Sequence, residues 1–484
     1  MHFILAVKVK WGKNVYNDIE LNTDEHPLVF KAQIFTLTGV QPDRQKVMLK
    51  GAQLKDDGWG DLPVKNGATF LMLGTADELA LEPEKKTVFM EDLSEAELNT
   101  KLDLPAGLVN LGNTCYMNAT VQCLKMVPEL KKSLVELRPQ GSSGLVDSLS
   151  EVFRSMQTGS CVPPLLLLGA LHRAVPRFAE KGPNGGLCQQ DASECWTEMV
   201  RLMQSGLPAQ NSNKHNSLVE QYMGGRMSVT LQCTESDTEP PLVSEENFLH
   251  LSCFIGQETG HMNSGLKAKI KEQISKMSSS LSRDAVYTKT SLIDRLPAYL
   301  TVQFVRFYYK EREAVNAKIL KDVKFPLQFD AWELCTPRLQ ALIEPTRAKF
   351  KEIEDQRTQD ALEGKDKPKP SKGVEPMEVD KDLEAQPYSF TDDPGSNNSG
   401  YYELQAVLTH RGRSSSSGHY VAWVKGDSPD TWYKCDDDVV SPVTDKEILK
   451  LSGGGDWHVA YMLLYGPKVL KVPKKPAEEP MSEN

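Results

Sequence analysis

The first 75 residues alternate between apolar and polar positions in short stretches, with one helical stretch between them. Residues 3–9 and 15–21 follow the two-residue period of strands, and a turn separates them. Residues 27–35 show helical spacing, and residues 46–50 and 69–73 alternate again as strands. This order predicts a small separate domain of two strands, a helix and two further strands.

A longer domain is predicted over residues 101–467, with helical spacing first and strand patterns later. Apolar positions after Cys115 recur at helical intervals until Pro128 ends the stretch. Residues 299–307 and 461–465 are rich in apolar residues, which is typical of strands.

Three segments carry too few apolar residues to form a packed core. Residues 76–100 are rich in Asp, Glu and Lys, and we interpret them as a linker between domains at 1–75 and 101–467. Residues 345–388 are charged and contain prolines, which predicts a disordered insertion. Residues 468–484 are similar and predict a disordered tail, because little burial is available to offset the entropy of ordering.

Composition narrows the class of protein. The net charge of −10 argues against nucleic acid or an anionic membrane as the main partner. No stretch approaches the roughly 18 consecutive apolar residues that a membrane span needs, so no span is predicted. Nine cysteines without regular spacing fit free thiols in a reducing compartment. We therefore expect a cytoplasmic protein, with the nucleus as a second location left open.

A turn rich in glycine and asparagine, within residues 107–118, delivers Cys115 to the start of the predicted helix. A thiol attacks as its thiolate, and the positive end of a helix dipole can hold a cysteine pKa below its free value of about 8.5. We interpret Cys115 as a catalytic nucleophile. On position alone, the alternative that Cys115 merely begins a buried helix stays open.

A base and an orienting carboxylate are found far downstream. Residues 402–410 and 419–424 alternate as strands, and a third strand from Trp432 opens into an acidic run. Neighbouring antiparallel strands can hold His419 beside Asp436, so that one ring nitrogen faces the carboxylate and the other faces the thiol. His410 is the second candidate for the base, and a solvated turn is the alternative interpretation of the acidic run.

Three segments together resemble the ubiquitin-specific protease family. Residues 107–118 (GLVNLGNTCYMN) are similar to its cysteine box, and residues 417–422 (SGHYVA) with 436–438 (DDD) are similar to its histidine box. Residues 189–194 (QQDASE) are similar to its Gln-Gln-Asp segment. The N-terminal domain resembles the ubiquitin-like β-grasp fold, so the whole chain resembles the proteasome-associated members of the family. The resemblance implies an α+β fold, with a papain-like thumb, palm and fingers after that domain. The palm would be an antiparallel sheet that includes residues 299–307 and 461–465.

The resemblance also implies roles for four residues. Cys115 would be the nucleophile, His419 the general base and acid, and Asp436 the orienting carboxylate. Asn110 would donate its side-chain amide to the oxyanion. Such a donor typically contributes about 10²–10³-fold in rate.

Three further residues are implied as substrate-binding. Asp191 and Tyr420 would line the channel for the ubiquitin tail, where an acidic residue suits the arginine of Leu-Arg-Gly-Gly. Gln190 would join them, with a hydrogen bond at a helix start as an equal alternative. We assign Phe254 and its neighbours to the fingers.

Two departures from the family pattern matter. Many relatives bind zinc in the fingers through paired Cys-x-x-Cys motifs, whereas Cys233 and Cys253 are isolated here. We therefore expect no zinc site and no cofactor. Cys435 stands before Asp436 where the family often has an aromatic residue, and we expect it to pack as a small apolar side chain.

The function implied is a thiol-dependent deubiquitinase that cleaves the peptide or isopeptide bond after the last glycine of ubiquitin. Its partners would be ubiquitin, ubiquitinated proteins and the regulatory particle of the 26S proteasome, contacted through the ubiquitin-like domain. The alternative is a non-catalytic ubiquitin receptor that regulates the proteasome. An unrelated cysteine hydrolase of small amides fits poorly with an attached ubiquitin-like domain.

Overall fold

The computed structural model describes residues 4–60, 62–75, 104–137, 144–310, 315–362, 383–414, 417–428, 430–455 and 457–473. Its contacts divide the chain into two compact units, 1–93 and 94–484. The predicted linker, residues 76–100, lies outside the described residues. In the described ranges, every helix is too short or too polar to cross a membrane.

The N-terminal unit is a five-stranded sheet with one helix packed on it. Its elements are β1 (Ile4–Trp11), β2 (Asn14–Asn22), α1 (Pro27–Thr38), β3 (Lys46–Leu49), β4 (Ala52–Gln53) and β5 (Thr69–Leu73). The strand order is β2-β1-β5-β3-β4, with β1 and β5 parallel at the centre. Phe30 and Ile34 of α1 bury against Val7, Val47 and Phe70 of the sheet. The predicted ubiquitin-like fold is confirmed.

The larger unit begins with helices that form the thumb. The helices of this unit are α2 (Cys115–Leu124), α3 (Pro128–Glu136), α4 (Leu145–Thr158), α5 (Leu165–Ala174), α6 (Ala192–Gly206), α7 (Leu218–Met223), α8 (Met262–Lys267), α9 (Pro337–Leu362) and α10 (Asp445–Leu449). All ten residues of α2 are buried, because α2 packs against α6 on one side and the palm sheet on the other. The first residue of α2 is therefore fixed between thumb and palm.

Two large sheets form the palm and the fingers. The strands of this unit are β6 (Gly107–Leu108), β7 (Cys161–Val162), β8 (Gly225–Cys233), β9 (Leu242–Phe248), β10 (Leu251–Phe254), β11 (Lys271–Met277), β12 (Asp284–Arg295), β13 (Leu300–Val305), β14 (Phe307–Lys310), β15 (Val315–Lys318), β16 (Gln328–Asp330), β17 (Leu383–Ala385), β18 (Tyr401–Ser414), β19 (Ser417–Lys425), β20 (Thr431–Asp436), β21 (Val439–Thr444), β22 (Val459–Pro467) and β23 (Lys471–Pro473). The palm has eight strands, ordered β10-β13-β22-β18-β19-β20-β21, with β16 beside β18. The fingers have four, ordered β11-β12-β8-β9. This architecture confirms the predicted α+β fold.

The tip of the fingers is held by a carboxylate. Glu239 accepts hydrogen bonds from Tyr287 Oη at 2.7 Å, from Ser278 Oγ at 2.7 Å and from Ser280 Oγ at 3.2 Å. Cys233 packs in a small apolar cluster beneath these groups. Hydrogen bonds and packing thus hold this end of the four-stranded sheet together.

The assignment of Phe254 to the fingers is wrong. Phe254 ends β10, which pairs in parallel with β13 at the edge of the palm sheet. The pattern of a short apolar strand could not distinguish the two sheets, because that pattern reports burial and not the partner strand.

The prediction of disorder over 345–388 is wrong where the structure describes this segment. Helix α9 continues to Leu362, and residues 363–382 lie outside the described residues. Arg347 stacks on Trp332 and Tyr401 and forms an ion pair with Asp330 at 2.7 Å. These contacts anchor the polar continuation of the helix, and composition alone does not reveal them.

The predicted disordered tail is also wrong at its start. Residues 471–473 form β23, which pairs antiparallel with β17. The backbone N–H of Gln386 donates to the carbonyl of Leu470 at 2.8 Å. The first residues after the palm are therefore ordered by strand pairing with the end of the same insertion, while 474–484 lie outside the described residues.

Candidate active site

The turn before α2 sets Cys115 as the first residue of that helix. Asn110 Oδ1 accepts hydrogen bonds from the backbone N–H of Gly112 at 2.9 Å and of Thr114 at 3.2 Å. Gly112 and Asn113 adopt positive φ angles of 98° and 53°, which glycine and asparagine tolerate better than other residues. The glycine- and asparagine-rich sequence of this turn is thus required by its backbone.

The thiol of Cys115 is buried but has polar neighbours. Cys115 is 2% exposed, and the Gln189 carboxamide donates from Nε2 to its Sγ at 3.3 Å. The ring of His419 is close enough to this thiol for Cys115 to help raise the pKa of the imidazole. The N-terminus of a helix also carries partial positive charge, so the sulfur lies at the positive end of α2 beside an amide donor and the imidazole.

His419 and Asp436 lie side by side on the antiparallel neighbours β19 and β20. His419 Nε2 is 2.6 Å from Asp436 Oδ1. The hydrogen bond to Asp436, followed by that to Cys115, raises the pKa of His419 to about 10. With Nε2–H donated to the carboxylate, the neutral ring keeps its lone pair on Nδ1, where it can take the thiol proton.

Lys434 holds the other oxygen of the same carboxylate. Its Nζ is 2.7 Å from Asp436 Oδ2. The hydrogen bond from His419, and then the contact with Lys434, holds the pKa of Asp436 well below its usual range. Asp436 therefore stays ionised across physiological pH.

His410 does not compete with His419. It is fully buried on β18, its ring centroid lies 4.6 Å from that of Tyr420, and both ring nitrogens are without partners among the described residues. Burial lowers the pKa of His410 to about 3. A neutral ring without access to the thiol cannot supply the base.

Asn110 is engaged more fully than the sequence suggests. Its Nδ2 donates to Asp437 Oδ2 at 2.8 Å, and Asn118 Nδ2 of α2 donates to the other oxygen of Asp437 at 2.8 Å. An amide nitrogen carries two N–H groups, so one N–H of Asn110 remains for an oxyanion. Asp437 is a residue that sequence reasoning missed, although it lies in the acidic run that was singled out.

The three predicted substrate-binding residues also have internal partners. Asp191 caps α6 through the backbone N–H of Ser193, and it accepts from Tyr461 Oη at 3.0 Å and Tyr420 Oη at 3.4 Å. Burial raises the pKa of this carboxyl group. Gln190 is buried, and its Nε2 donates to the backbone carbonyl of Arg177 at 3.1 Å. This bond leads to Arg177 and not to the start of α6, so it differs from the helix-start bond of the structural alternative.

The candidate metal ligands in this site already have hydrogen-bond partners within the protein. In the part of the chain that the structure describes, His419, Asp436 and Asp437 offer ligand atoms within 4.8 Å of one another. The carboxylate oxygens of the two aspartates already accept hydrogen bonds from Lys434, Asn118 and the imidazole, as described above. The nearby Cys435 is buried, and burial raises the pKa of its thiol to about 12, so it is no rival nucleophile.

Comparison with known proteins decides the family. The model of the family "Ubiquitin carboxyl-terminal hydrolase" matches residues 106–465, and the model of the ubiquitin family matches residues 5–76. The chain belongs to the ubiquitin carboxyl-terminal hydrolase family. It is a cysteine-type ubiquitin hydrolase, and its N-terminal unit is a ubiquitin-like domain.

Relatives match along almost the whole length of this hydrolase. Ubiquitin carboxyl-terminal hydrolase 7 of Arabidopsis thaliana is 42% identical and aligns over 97% of this chain and 100% of its own. Ubiquitin carboxyl-terminal hydrolase 14 of Caenorhabditis elegans is 38% identical over 96% and 94% of the two chains. The solved SAGA Ubp8/Sgf11/Sus1/Sgf73 DUB module bound to ubiquitin aldehyde superposes with a TM-score of 0.52 at 20% identity, covering 75% of this chain and 69% of that chain. That likeness supports the fold of the hydrolase domain.

Proposed function

We propose that this hydrolase cleaves the peptide or isopeptide bond after the C-terminal glycine of ubiquitin, with Cys115 as nucleophile, His419 as base and acid, and Asp436 as the orienting carboxylate. The observation that carries the proposal is the 2.6 Å contact between His419 and Asp436 beside the thiol at the start of α2. Nucleophile, base and orienting group within reach of one another are the requirements of covalent catalysis.

The reaction then proceeds in two steps. The Cys115 thiolate attacks the carbonyl carbon of the last glycine, the C–N bond breaks, and the His419 imidazolium gives its proton to the departing amine. Water attacks the resulting thioester while His419 removes its proton. Ubiquitin leaves with a free carboxylate, and the proton returns to the Cys115–His419 pair.

Asn110 is proposed to bind the oxyanion of both tetrahedral intermediates. The N–H that is not donated to Asp437 supplies this bond. Asp437 fixes the carboxamide plane before substrate arrives, and such preorganisation avoids reorganisation during the reaction. Asn110 is exposed, so a carbonyl can reach it.

The tail of ubiquitin is proposed to run past Asp191, Tyr420 and Gln190. The ionised form of Asp191 suits an arginine of the tail, and the two tyrosine hydroxyl groups that bind Asp191 keep its carboxylate in one place. Gln190 contributes by holding the segment in position and not by direct contact, which agrees with its bond to Arg177.

The ubiquitin-like domain is proposed to dock on the regulatory particle of the 26S proteasome. The proposed location is the cytoplasm, and the nucleus stays open as a second location. Its outer sheet face offers the chemistry of a docking surface. Leu71 and Leu73 are 39% and 48% exposed, and they pair with Met48 and Lys46 on β3. Lys10 pairs with Leu71 on the other side. An apolar centre with basic residues around it fits an apolar and acidic partner.

A ubiquitin with an electrophile at its C-terminus tests enzyme against receptor. Incubation alone and with proteasome, followed by peptide mapping, is expected to find the adduct on Cys115. Cys115→Ala is expected to abolish adduct and turnover, whereas Cys188→Ala leaves both intact. A receptor without catalysis gives no adduct, and turnover by Cys115→Ala rejects the proposed nucleophile.

Docking is tested separately with full-length variants. Leu71→Asp is expected to weaken co-sedimentation with proteasomes, while Leu28→Asp, at an exposed position of α1, is expected to leave it unchanged. Equal binding by both variants argues against the proposed sheet face.

A further inference from the structure

Within the part of the chain that the structure describes, the side chain of Gln189 donates a hydrogen bond to the sulfur of Cys115. Its Nε2 lies 3.3 Å from Sγ. This is a sulfur hydrogen bond of ordinary length, and it joins residues 74 positions apart in the sequence. The motif that contains Gln189 therefore contacts the nucleophile directly, in addition to starting α6.

The backbone on both sides of Gln189 is anchored. On the N-terminal side, Asn113 Nδ2 donates to the carbonyl of Leu187 at 2.8 Å, and the N–H of Cys188 donates to the carbonyl of Glu180 at 2.9 Å. Asn113 belongs to the turn that carries Cys115, so this bond ties the two segments together. The position of Gln189 relative to the thiol is thus set by the protein before any substrate binds.

The C-terminal side is anchored through side chains. Gln190 is buried with its Nε2 on the carbonyl of Arg177, and Asp191 caps α6 while accepting from Tyr461. Each neighbour of Gln189 therefore uses its polar group to hold the scaffold. Among the described residues, the carboxamide of Gln189 has its one hydrogen bond to Cys115 Sγ.

An N–H donor binds the thiolate form of a cysteine more strongly than the thiol form. A thiol sulfur is a weak acceptor, whereas a thiolate accepts strongly, because hydrogen bonds to an ionised partner are about twice as strong as neutral ones. The amide carries no charge, so it stabilises the anion without repelling the His419 imidazolium. A thioester sulfur carries no negative charge, so this stabilisation ends when the acyl-enzyme forms.

We propose that Gln189 is a thiolate-binding residue, which donates an N–H to the anion of Cys115 in the resting enzyme and raises the fraction of enzyme ready to attack. The proposal rests on the proposed role of Cys115 as nucleophile. It gives the first glutamine of the Gln-Gln-Asp segment a function different from that of Gln190, which holds the backbone.

Alkylation of the full-length protein by iodoacetamide measures this bond without needing turnover. The rate at Cys115 is followed by peptide mapping across pH, because only the thiolate reacts. In Gln189→Leu, the pH midpoint for Cys115 is expected to rise by about one unit, a tenfold loss of thiolate at lower pH. Gln189→Glu is expected to raise it further, because a carboxylate repels the thiolate.

Controls separate this effect from a general disturbance. Gln189 is only half-buried, so its replacement leaves the core intact. The neighbouring Cys188, which is partly exposed, reports on the same segment in the same digest, and its midpoint is expected to stay constant. Gln157→Leu, at an exposed position of α4, is expected to leave Cys115 unchanged.

Activity gives an independent readout. The pH dependence of kcat/KM is measured with a ubiquitin C-terminal amide. In Gln189→Leu, the pH midpoint of its acid limb is expected to rise by the same amount as the alkylation midpoint of Cys115, with KM nearly unchanged. An unchanged alkylation midpoint at Cys115 in both Gln189 variants overturns the inference. Turnover by Cys115→Ala rejects the proposed function instead, so the two failures are distinguishable.

Discussion

The Asn118 carboxamide donates from Nδ2 to Oδ1 of Asp437 at 2.8 Å, across 319 positions of the sequence. Asn118 lies one helical turn after the nucleophile, and Asp437 follows the orienting carboxylate. The bond therefore joins the thumb helix to the turn between palm strands β20 and β21, next to the reacting groups. The second oxygen of Asp437 holds Asn110, the proposed oxyanion donor.

Replacing Asp437 by alanine is expected to lower kcat by about 10²-fold with little change in KM, because an oxyanion donor loses its anchor. A ubiquitin C-terminal fluorogenic amide provides the assay. Asp438→Ala removes the exposed neighbouring carboxylate and is expected to keep the wild-type rate. Equal rates for the two variants would show that the anchoring of Asn110 does not matter for turnover.

Asp436→Asn is expected to lower the pH midpoint of the alkaline limb of the pH–rate profile. The hydrogen bond to Asp436 is the main cause of the raised pKa of His419, about 10, and its loss returns that pKa towards the ordinary value of about 6.5. The imidazolium that protonates the leaving amine then disappears as pH rises through the new value. At neutral pH we expect a loss of about 10²-fold in kcat.

Lys434→Met is expected to change the pKa of His419 in the direction opposite to Asp436→Asn, and it serves as the control for that experiment. Lys434 competes for the Asp436 carboxylate at 2.7 Å, so its removal strengthens the attraction between Asp436 and His419. The alkaline limb is expected to stay or to rise. A downward shift in this variant would contradict the assignment of Asp436 as the partner that sets the basicity of His419.

Three histidines are expected to titrate in widely separated ranges: His419, His410 and His458, whose ring centroid lies 6.5 Å from that of His419. His419 stays protonated through about pH 8, because Asp436 and Cys115 favour the imidazolium. Burial lowers the pKa of His410 to about 3 and that of His458 to about 4, so both stay neutral down to about pH 5. Ring ¹⁵N shifts of histidine-labelled protein measure all three, and a His410 that protonates near neutral pH would contradict its burial.

Arg306 is expected to be important for stability. Its guanidinium is fully buried and donates to the backbone carbonyls of Ala460 at 2.7 Å, Ile319 at 3.0 Å, Lys321 at 2.9 Å and Ser452 at 2.9 Å. Arg306→Met leaves these acceptors without donors, and we expect the free energy of unfolding to fall by about 3–5 kcal/mol. Urea denaturation followed by tryptophan fluorescence measures the loss.

Arg201→Met is the matched control for Arg306. Arg201 is exposed and pairs with Glu198 one turn earlier, so its removal is expected to change the free energy of unfolding by less than about 1 kcal/mol. Arg306→Lys keeps a charge but supplies fewer donors in a different geometry, and we expect an intermediate value. Equal stability of all three variants would contradict the importance of these bonds.

The sequence was sufficient for features that follow local rules. The turn before Cys115 needs glycine and asparagine for its positive φ angles, and the period of two predicts the strands that carry His419 and Asp436. The same period places Lys434 on the face of Asp436, a signal that was available and not used. These features depend on residues that are near one another in the chain.

Contacts between distant segments could not be predicted in this way. The bond from Gln189 to Cys115 depends on how the start of α6 packs against the start of α2, and no local pattern reports that packing. Helix α9 was missed because Arg347 gains its stability from aromatic rings elsewhere in the sequence. Phe254 was placed in the wrong sheet because its partner strand lies about fifty residues later.

The fingertip offers a last prediction, on substrate binding. Glu239 joins Tyr287 of β12 to Ser278 and Ser280 of the preceding turn, so Glu239→Ala is expected to loosen the end of the four-stranded sheet. Because Glu239 lies between β8 and β9 of the four-stranded sheet, and His419 and Asp436 belong to the other sheet, we expect KM for ubiquitin substrates to rise several-fold at constant kcat, the pattern of lost uniform binding. Asp237→Asn changes the charge at an exposed position of the same tip and is expected to keep the wild-type KM. A metal chelator is expected to leave both proteins unaffected, because the segments of the tip are joined by hydrogen bonds to the Glu239 carboxylate. A Glu239→Ala protein with unaltered KM would show that this clasp is dispensable for holding ubiquitin, and a fall in kcat alone would place its effect at the reacting groups instead.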